Sequence, residues 1–358
     1  MKARRYVVLG GAGTIGRTVV RDLWMFDRRA EIRVADFNEE AAVRFARSLS
    51  GRRVRGVFAD ARNCREALAG ADVVVNCTQH DFNLRVMAAA LKAGVRYVDL
   101  GGLFTWTRRQ LRWHRRFERA GLTAVLGMGC APGITNVMSR HAVERLGGRA
   151  QTLKIRVGYR DLRAPPTAFY FPYSAQTIVE ELTLPAYVWR NGRWLEVPAG
   201  RGWERVVFPP PVGPLWTLWT RHSELATLPT VLRLKNCDFK VSFDRAFVRE
   251  VHRRLAAGWT VGDFAKLKPP PGPPRDAEVA RVEVDGRLRV ECRVRSSRRW
   301  EAGAGELDTA CPAAAVAQWL ARGELNRPGV WPPESVVPYE RLRAELMRRG
   351  LRFVEVRL

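Results

Sequence analysis

Between residues 6 and 126 the chain alternates short apolar runs with longer stretches in which apolar residues return every three or four positions. The runs at 6–9, 31–36, 54–59, 73–76, 97–100 and 123–126 predict strands. The stretches at 15–26, 39–48, 64–68, 82–93 and 106–120 predict helices. Each run is nearly unbroken rather than alternating, as expected of a strand whose two faces are both covered by helices. Six such strands separated by helices predict a doubly wound parallel sheet.

After Gly133 the rhythm lengthens and turns β-rich. Strands are predicted at 153–160, 206–208, 231–243, 279–284 and 288–296, with helices beside them at 135–146 and 174–182. Asp285-Gly286, between the last two strands, is the dipeptide that a tight hairpin turn favours. The proline runs at 209–211 and 269–274 read as stiff surface connections. Helical periodicity returns at 312–323 and 339–349, with a turn-rich piece at 326–333 between them. The pattern thus divides into segments 1–132, 133–310 and 311–358.

Composition refines this picture in three places. At 358 residues the chain is too long for one core, and 46% hydrophobic residues supply two. The net charge of +25 would suggest a polyanion partner. Yet only seven of the 61 basic residues are lysine, and the arginines are spread through every segment without a basic block, so nucleic-acid binding is disfavoured. Six scattered cysteines with no CxxC pair suit reduced thiols, with no metal site expected. The opening MKARRYVVLGG lacks a long apolar segment and no run is long enough to span a membrane, so a cytoplasmic protein is expected.

The stretch VVLGGAGTIGRT (7–18) places glycines at 11, 13 and 16 between the first strand and the first helix, and Asp36 closes the second strand. This is the context in which a G-x-G-x-x-G turn cradles a dinucleotide. Gly11 permits the tight turn, Gly13 lets the backbone approach a pyrophosphate, and Gly16 allows close helix packing. Ala12, Thr14 and Ile15 complete the cradle, whose helix N-terminus offers unpaired N–H groups to phosphate. A carboxylate at Asp36 would accept hydrogen bonds from a ribose 2′-OH and repel a 2′-phosphate, which favours NAD while leaving NADP possible. Asp60 is placed for the adenine side, and Asn76, Cys77, Gly101 and Gly102, at later strand ends, for the ribose and nicotinamide.

Further stretches add a family resemblance. GADVVVNCT (70–78), AGVRYVDLGG (93–102), GCAPGITN (129–136), YSAQTIVEE (173–181), SELATLP (223–229), DTACP (308–312) and PGVWPPE (328–334) together resemble the saccharopine dehydrogenase family, and within it the lysine 6-dehydrogenase-like branch. The resemblance implies an α/β fold with an N-terminal Rossmann domain at 1–132. It further implies an inserted α/β (α+β) domain at 133–310 for substrate binding and dimerisation, and C-terminal helices at 311–358 that return to pack on the Rossmann part. It also implies a homodimeric NAD(P)-dependent oxidoreductase that acts on the CH–NH group of an amino-acid substrate. Oxidative deamination of a lysine-type side chain is the leading expectation. A reductive condensation of the saccharopine reductase or carboxynorspermidine synthase type is the sister alternative, and a non-catalytic NAD sensor or nucleic-acid binder the rival from another class.

Such chemistry leaves the protein to place the reactants and control a proton. Among the histidines, His80 follows the fourth strand and has Asp81 beside it, and His222 stands two residues before Glu224 in a family-like stretch. Tyr173 is a candidate hydroxyl donor. Glu180 and Glu181 are further carboxylates for a substrate ammonium, and Arg160 and Arg221 candidate carboxylate clamps.

Overall fold

The computed structural model describes residues 3–163 and 168–358. In chain order the strands of the N-terminal part are β1 (Arg4–Leu9), β2 (Ala30–Asp36), β3 (Val54–Phe58), β4 (Val73–Asn76), β5 (Arg96–Asp99) and β6 (Thr123–Val125). They are followed by β7 (Thr152–Asp161), β8 (Ala186–Arg190), β9 (Arg193–Val197), β10 (Glu204–Val207), β11 (Pro214–Trp219), β12 (Asn236–Ser242), β13 (Asp276–Val284) and β14 (Leu288–Arg295). Two short strands close the chain, β15 (Gly329–Trp331) and β16 (Arg352–Arg357).

The chain folds into two compact units, one comprising Met1–Val137 with Glu306–Gly350 and the other Met138–Gly305 with Leu351–Leu358. The first holds a seven-stranded parallel sheet in the order β15-β6-β5-β4-β1-β2-β3. Its six N-terminal strands lie where the apolar runs predict them, and their order reverses between β1 and β4, the point at which open α/β sheets bind ligands. Val7, Val8, Leu9, Val73, Val74 and Val75 are buried, which explains why these strands carry no polar alternation. Two features of this unit come from the C-terminal segment. The turn-rich piece at 326–333 contains β15, and the helix Ala304–Arg322 is followed by Tyr339–Arg348, whose end brings Arg349 onto the first helix, α1 (Thr14–Phe26). Arg349 donates Nε to Asp22 Oδ2 at 2.6 Å and Nη2 to Asp22 Oδ1 at 2.9 Å, with both side chains fully buried.

The second unit is built on a mixed sheet in the order β10-β11-β12-β7-β13-β14-β16, with β8 pairing β12 and β9 pairing β8. Only β12 and β7 run parallel in it. The hairpin at Asp285-Gly286 is present, both residues having positive φ (53° and 64°), as a tight turn between right-twisted strands demands. One expectation needs correction, because the segment 311–358 is not helical to its end. Residues Arg352–Arg357 form β16, antiparallel to β14. RFVEVR follows a helix-ending glycine, and its β-branched and aromatic residues favour extended backbone once a partner strand is available. No helix among the described residues is long and apolar enough to cross a membrane.

Candidate functional site

In the first unit the cradle is built by backbone. The amides of Gly10 and Gly11 donate to the Ala35 carbonyl at 2.8 and 3.1 Å, folding the turn against the end of β2. Helix α1 starts at Thr14 with Gly13 as its N-cap and no side chain capping it, so its first amides remain available to an anion. A Cβ on Gly16 would lie 2.1 Å from the Gly10 carbonyl oxygen, and one on Gly11 2.7 Å from that of Val8, so both positions tolerate glycine alone. Gly13 is different. It is exposed, its φ of −73° suits any residue, and a Cβ there would meet only the Gly10 oxygen, at 3.3 Å. Space for Gly13 is thus left by the protein itself, which fits a backbone kept bare for a pyrophosphate. Ala12, Thr14 and Ile15 line the same turn. Asp36 accepts the Ala12 amide on Oδ2 and the Asn38 amide on Oδ1, each at 3.0 Å, which fixes the carboxylate beside the cradle with a lone pair of each oxygen free for a ribose diol.

The other strand ends carry a connected polar network. Asn76 is buried, donates to Asn83 at 2.9 Å and to the Tyr97 hydroxyl at 3.2 Å, and accepts from the Thr78 hydroxyl at 2.6 Å, so it ties the loop after β4 in place. Cys77 is held by its amide on the Leu9 carbonyl, and burial pushes its thiol up, leaving it protonated. Gly101 has a φ of +116° and Gly102 packs against His80 and Trp106, a Cβ on Gly102 falling 3.3 Å from the His80 Cβ. His80 itself lies in the short 3-10 turn His80–Phe82, buried against that glycine. Asp60 pairs with Arg62 through Nε at 3.1 Å to both carboxylate oxygens.

The residue that sequence reasoning left unassigned here is Asp99, at the end of β5. Its Oδ1 accepts the amides of Gly101 (3.0 Å) and Gly127 (2.6 Å), and its Oδ2 accepts from Tyr97 (2.9 Å) and Gln110 (2.6 Å). One buried carboxylate therefore fixes the loops after both β5 and β6. The DLGG wording marked the place, but not that the aspartate faces inward.

In the second unit the structure brings together four residues from two segments distant in sequence, Tyr173 and Glu181 with His222 and Glu224. The helix Ala175–Thr183, capped by Ser174, presents Glu181, and the turn that follows His222 presents Glu224. The Tyr173 hydroxyl donates to Glu181 Oε2 at 2.5 Å, the other Glu181 oxygen stands 3.6 Å from His222 Nε2, and His222 Nδ1 bonds Glu224. The imidazole stacks on Phe239 of β12 at 3.9 Å and 12°. Burial alone would strip the imidazole of its proton, but the Glu224 and Glu181 carboxylates outweigh it and raise the His222 pKa. Burial also raises Glu181, against the pull of His222 and the Tyr173 hydroxyl. Burial and the Glu181 charge keep the Tyr173 phenol protonated. The cluster can hold a proton on His222 near neutral pH and offers carboxylate charge to a cation. Arg221 donates to the Pro185 carbonyl and Arg160 to those of Val212 and Pro214, so both candidate clamps are tied to backbone. Gln176 donates to Glu180, one turn along the same helix.

The pH sign of this cluster is fixed. Both His222 and Glu181 have pKa values raised by folding, so the stability they add is complete below their ordinary values, 6.5 and 4.5, and falls as pH rises through the folded ones. Urea unfolding between neutral and alkaline pH should show wild type losing its advantage over His222→Gln as pH climbs above 6.5. An advantage that is flat or grows with pH would contradict the assignment.

The turn, the uncapped helix and the acid at the end of β2 define a dinucleotide-binding α/β domain. Residues 6–125 match the saccharopine dehydrogenase NADP binding domain. Among curated proteins the chain is 24% identical over 271 residues to carboxyaminopropylagmatine dehydrogenase of Synechocystis, covering 71% of this chain and 66% of that one. It is 25% identical over 187 residues to carboxynorspermidine synthase of Vibrio alginolyticus, covering 48% and 43%. The chain thus matches under two thirds of the length of these relatives. Its fold is that of the saccharopine dehydrogenase (L-Glu forming) from Saccharomyces cerevisiae, with a TM-score of 0.77 at 15% identity over 99% of this chain and 100% of the other.

Proposed function

We propose that the chain is an NAD(P)-dependent oxidoreductase acting on a CH–NH bond, and that its substrate is a secondary amine joining an amino-acid unit to a diamine or polyamine. The observation that carries this reading is the Glu181–His222–Glu224 arrangement, a half-buried imidazole between two buried carboxylates, in a chain that also holds a dinucleotide cradle. Carboxylates recognise ammonium groups, and a protonated imidazole is the donor that imine reduction requires. The curated relatives support the substrate class, since their names describe agmatine and norspermidine carrying carboxyl-bearing groups. They shift the reading away from oxidative deamination of a lysine-type side chain, the leading expectation from the resemblance.

In the reductive direction a C=N bond gains one hydride at carbon and one proton at nitrogen. The nicotinamide dinucleotide supplies the hydride when bound. In this reading His222 holds the proton, Glu224 orients the imidazole through Nδ1, and Tyr173 orients Glu181 by donating to it. Glu181 and Glu224 draw the cationic end of the amine, and a homodimer in the cytoplasm is part of the same proposal.

The test is a screen of cofactor turnover with lysine, saccharopine, diamines, and diamines paired with amino-acid aldehydes. Turnover is expected with the secondary-amine pairs and not with lysine alone. Glu181→Gln and Glu224→Gln should raise KM for the amine about tenfold or more while dinucleotide affinity is unchanged. Turnover of lysine alone would restore the deamination reading, and none with any amine would refute both.

A further inference from the structure

The end of β3 in the first unit carries a feature that the cradle does not use. Phe37 and Phe58 stand side by side, 5.7 Å between ring centroids, and are 64% and 53% exposed. Phe37 directly follows Asp36, and Phe58 is the register partner of Asp36 across the β2–β3 ladder. Two neighbouring exposed phenylalanines on the surface call for an occupant. Arg62 lies over the outer ring, its guanidinium carbon 6.0 Å from the Phe37 centroid, and pairs with Asp60 at 3.1 Å. Its side chain is 59% exposed, and an exposed pair of this kind retains its arginine weakly.

The neighbouring arginines are engaged elsewhere. Arg33 donates to the Ala67 and Ala69 carbonyls, Arg44 pairs with Glu40, and Arg17 lies over Phe45. The site therefore presents a fixed carboxylate suited to a ribose diol, an aromatic platform beside it, and a loosely held guanidinium above the platform.

We propose that Phe37 is the platform for the adenine ring and that Arg62 exchanges Asp60 for the 2′-phosphate of NADP, so that one site admits both dinucleotides. This rests on the dinucleotide reading of the cradle. Asp36 alone would repel a 2′-phosphate, whereas Arg62 offers that phosphate two parallel N–H donors. Asp60 is its competitor, which makes NADP affinity depend on how firmly Asp60 holds Arg62. No covalent bond is made or broken in this exchange.

The experiment is calorimetric titration of the full chain with NAD, NADP and nicotinamide mononucleotide. Arg62→Ala should weaken NADP at least about tenfold more than NAD, Arg62→Lys should fall between, and Asp60→Asn should move the ratio towards NADP. Phe37→Ala should weaken both dinucleotides while nicotinamide mononucleotide, which lacks adenine, binds as before. An unchanged NADP-to-NAD ratio in Arg62→Ala overturns the phosphate assignment, and unchanged dinucleotide affinity in Phe37→Ala overturns the platform. Wild type that binds neither dinucleotide overturns the cradle and this inference together. Melting curves of each variant separate these outcomes from loss of fold.

Discussion

Replacing Arg349 by alanine is expected to destabilise the first unit by about 3–5 kcal/mol, the cost of leaving one member of a buried ion pair without its partner. Asp22 lies within α1, and Arg349 reaches it with two N–H bonds from the other end of the sequence. Gln318 also donates to Asp22, at 3.3 Å, and Arg349 holds Glu345 and the Glu345 carbonyl. The alanine variant strands the fully buried Asp22 carboxylate, so the penalty exceeds that of a surface pair. A melting temperature lower by about 10 °C or more is the expected readout. The double variant Asp22→Leu, Arg349→Met should recover most of the loss, because apolar residues of similar volume remove the charges as well as the attraction. A single-variant loss below about 1 kcal/mol would show that the C-terminal segment is not fastened here.

The second large effect separates two glycines of one motif. Gly16→Ala should abolish measurable dinucleotide binding, a loss of at least about a hundredfold, and lower the melting temperature, since the new Cβ would fall 2.1 Å from the Gly10 oxygen and 2.7 Å from the Gly11 Cα. Both obstacles are backbone, so α1 must move. Gly13→Ala should melt within about a degree of wild type, because its conformation is ordinary and its nearest neighbour is 3.3 Å away. Its dinucleotide affinity should nonetheless fall about tenfold to a hundredfold, the methyl group occupying space that the protein leaves bare. Calorimetric titration beside thermal melting reads both. Gly13→Ala with undiminished affinity would remove the pyrophosphate from that position.

The legible and illegible parts of this chain differ by the range of the interactions involved. Apolar runs located six parallel strands because a strand buried on both faces must be apolar throughout, and the glycine spacing located the cradle because each glycine answers a local steric demand. β15 escaped notice as three residues, GVW, between prolines, and β16 because its charged residues mask the extended pattern. Both form through partners distant in sequence, β6 and β14. Asp99 was visible as a letter in DLGG, yet its four acceptor bonds depend on residues from 97 to 127 converging. The pairing of Asp22 with Arg349 spans the chain and leaves no local signature. The nearness of His222 to Glu224 was legible in the sequence, and Tyr173 and Glu181 were named as candidates, but the contact of Glu181 with both Tyr173 and His222 was not.

Isotope transfer reads hydride delivery to a carbon bonded to nitrogen directly. Wild-type protein would be incubated with a diamine, an amino-acid aldehyde and reduced dinucleotide carrying deuterium at the transferable position of the nicotinamide, and the products analysed by mass spectrometry. The account predicts a secondary amine with one deuterium on the carbon beside the new nitrogen, formed in step with the oxidised dinucleotide. Oxidised dinucleotide with deuterium in an alcohol, or a bound dinucleotide that is never consumed, would contradict it.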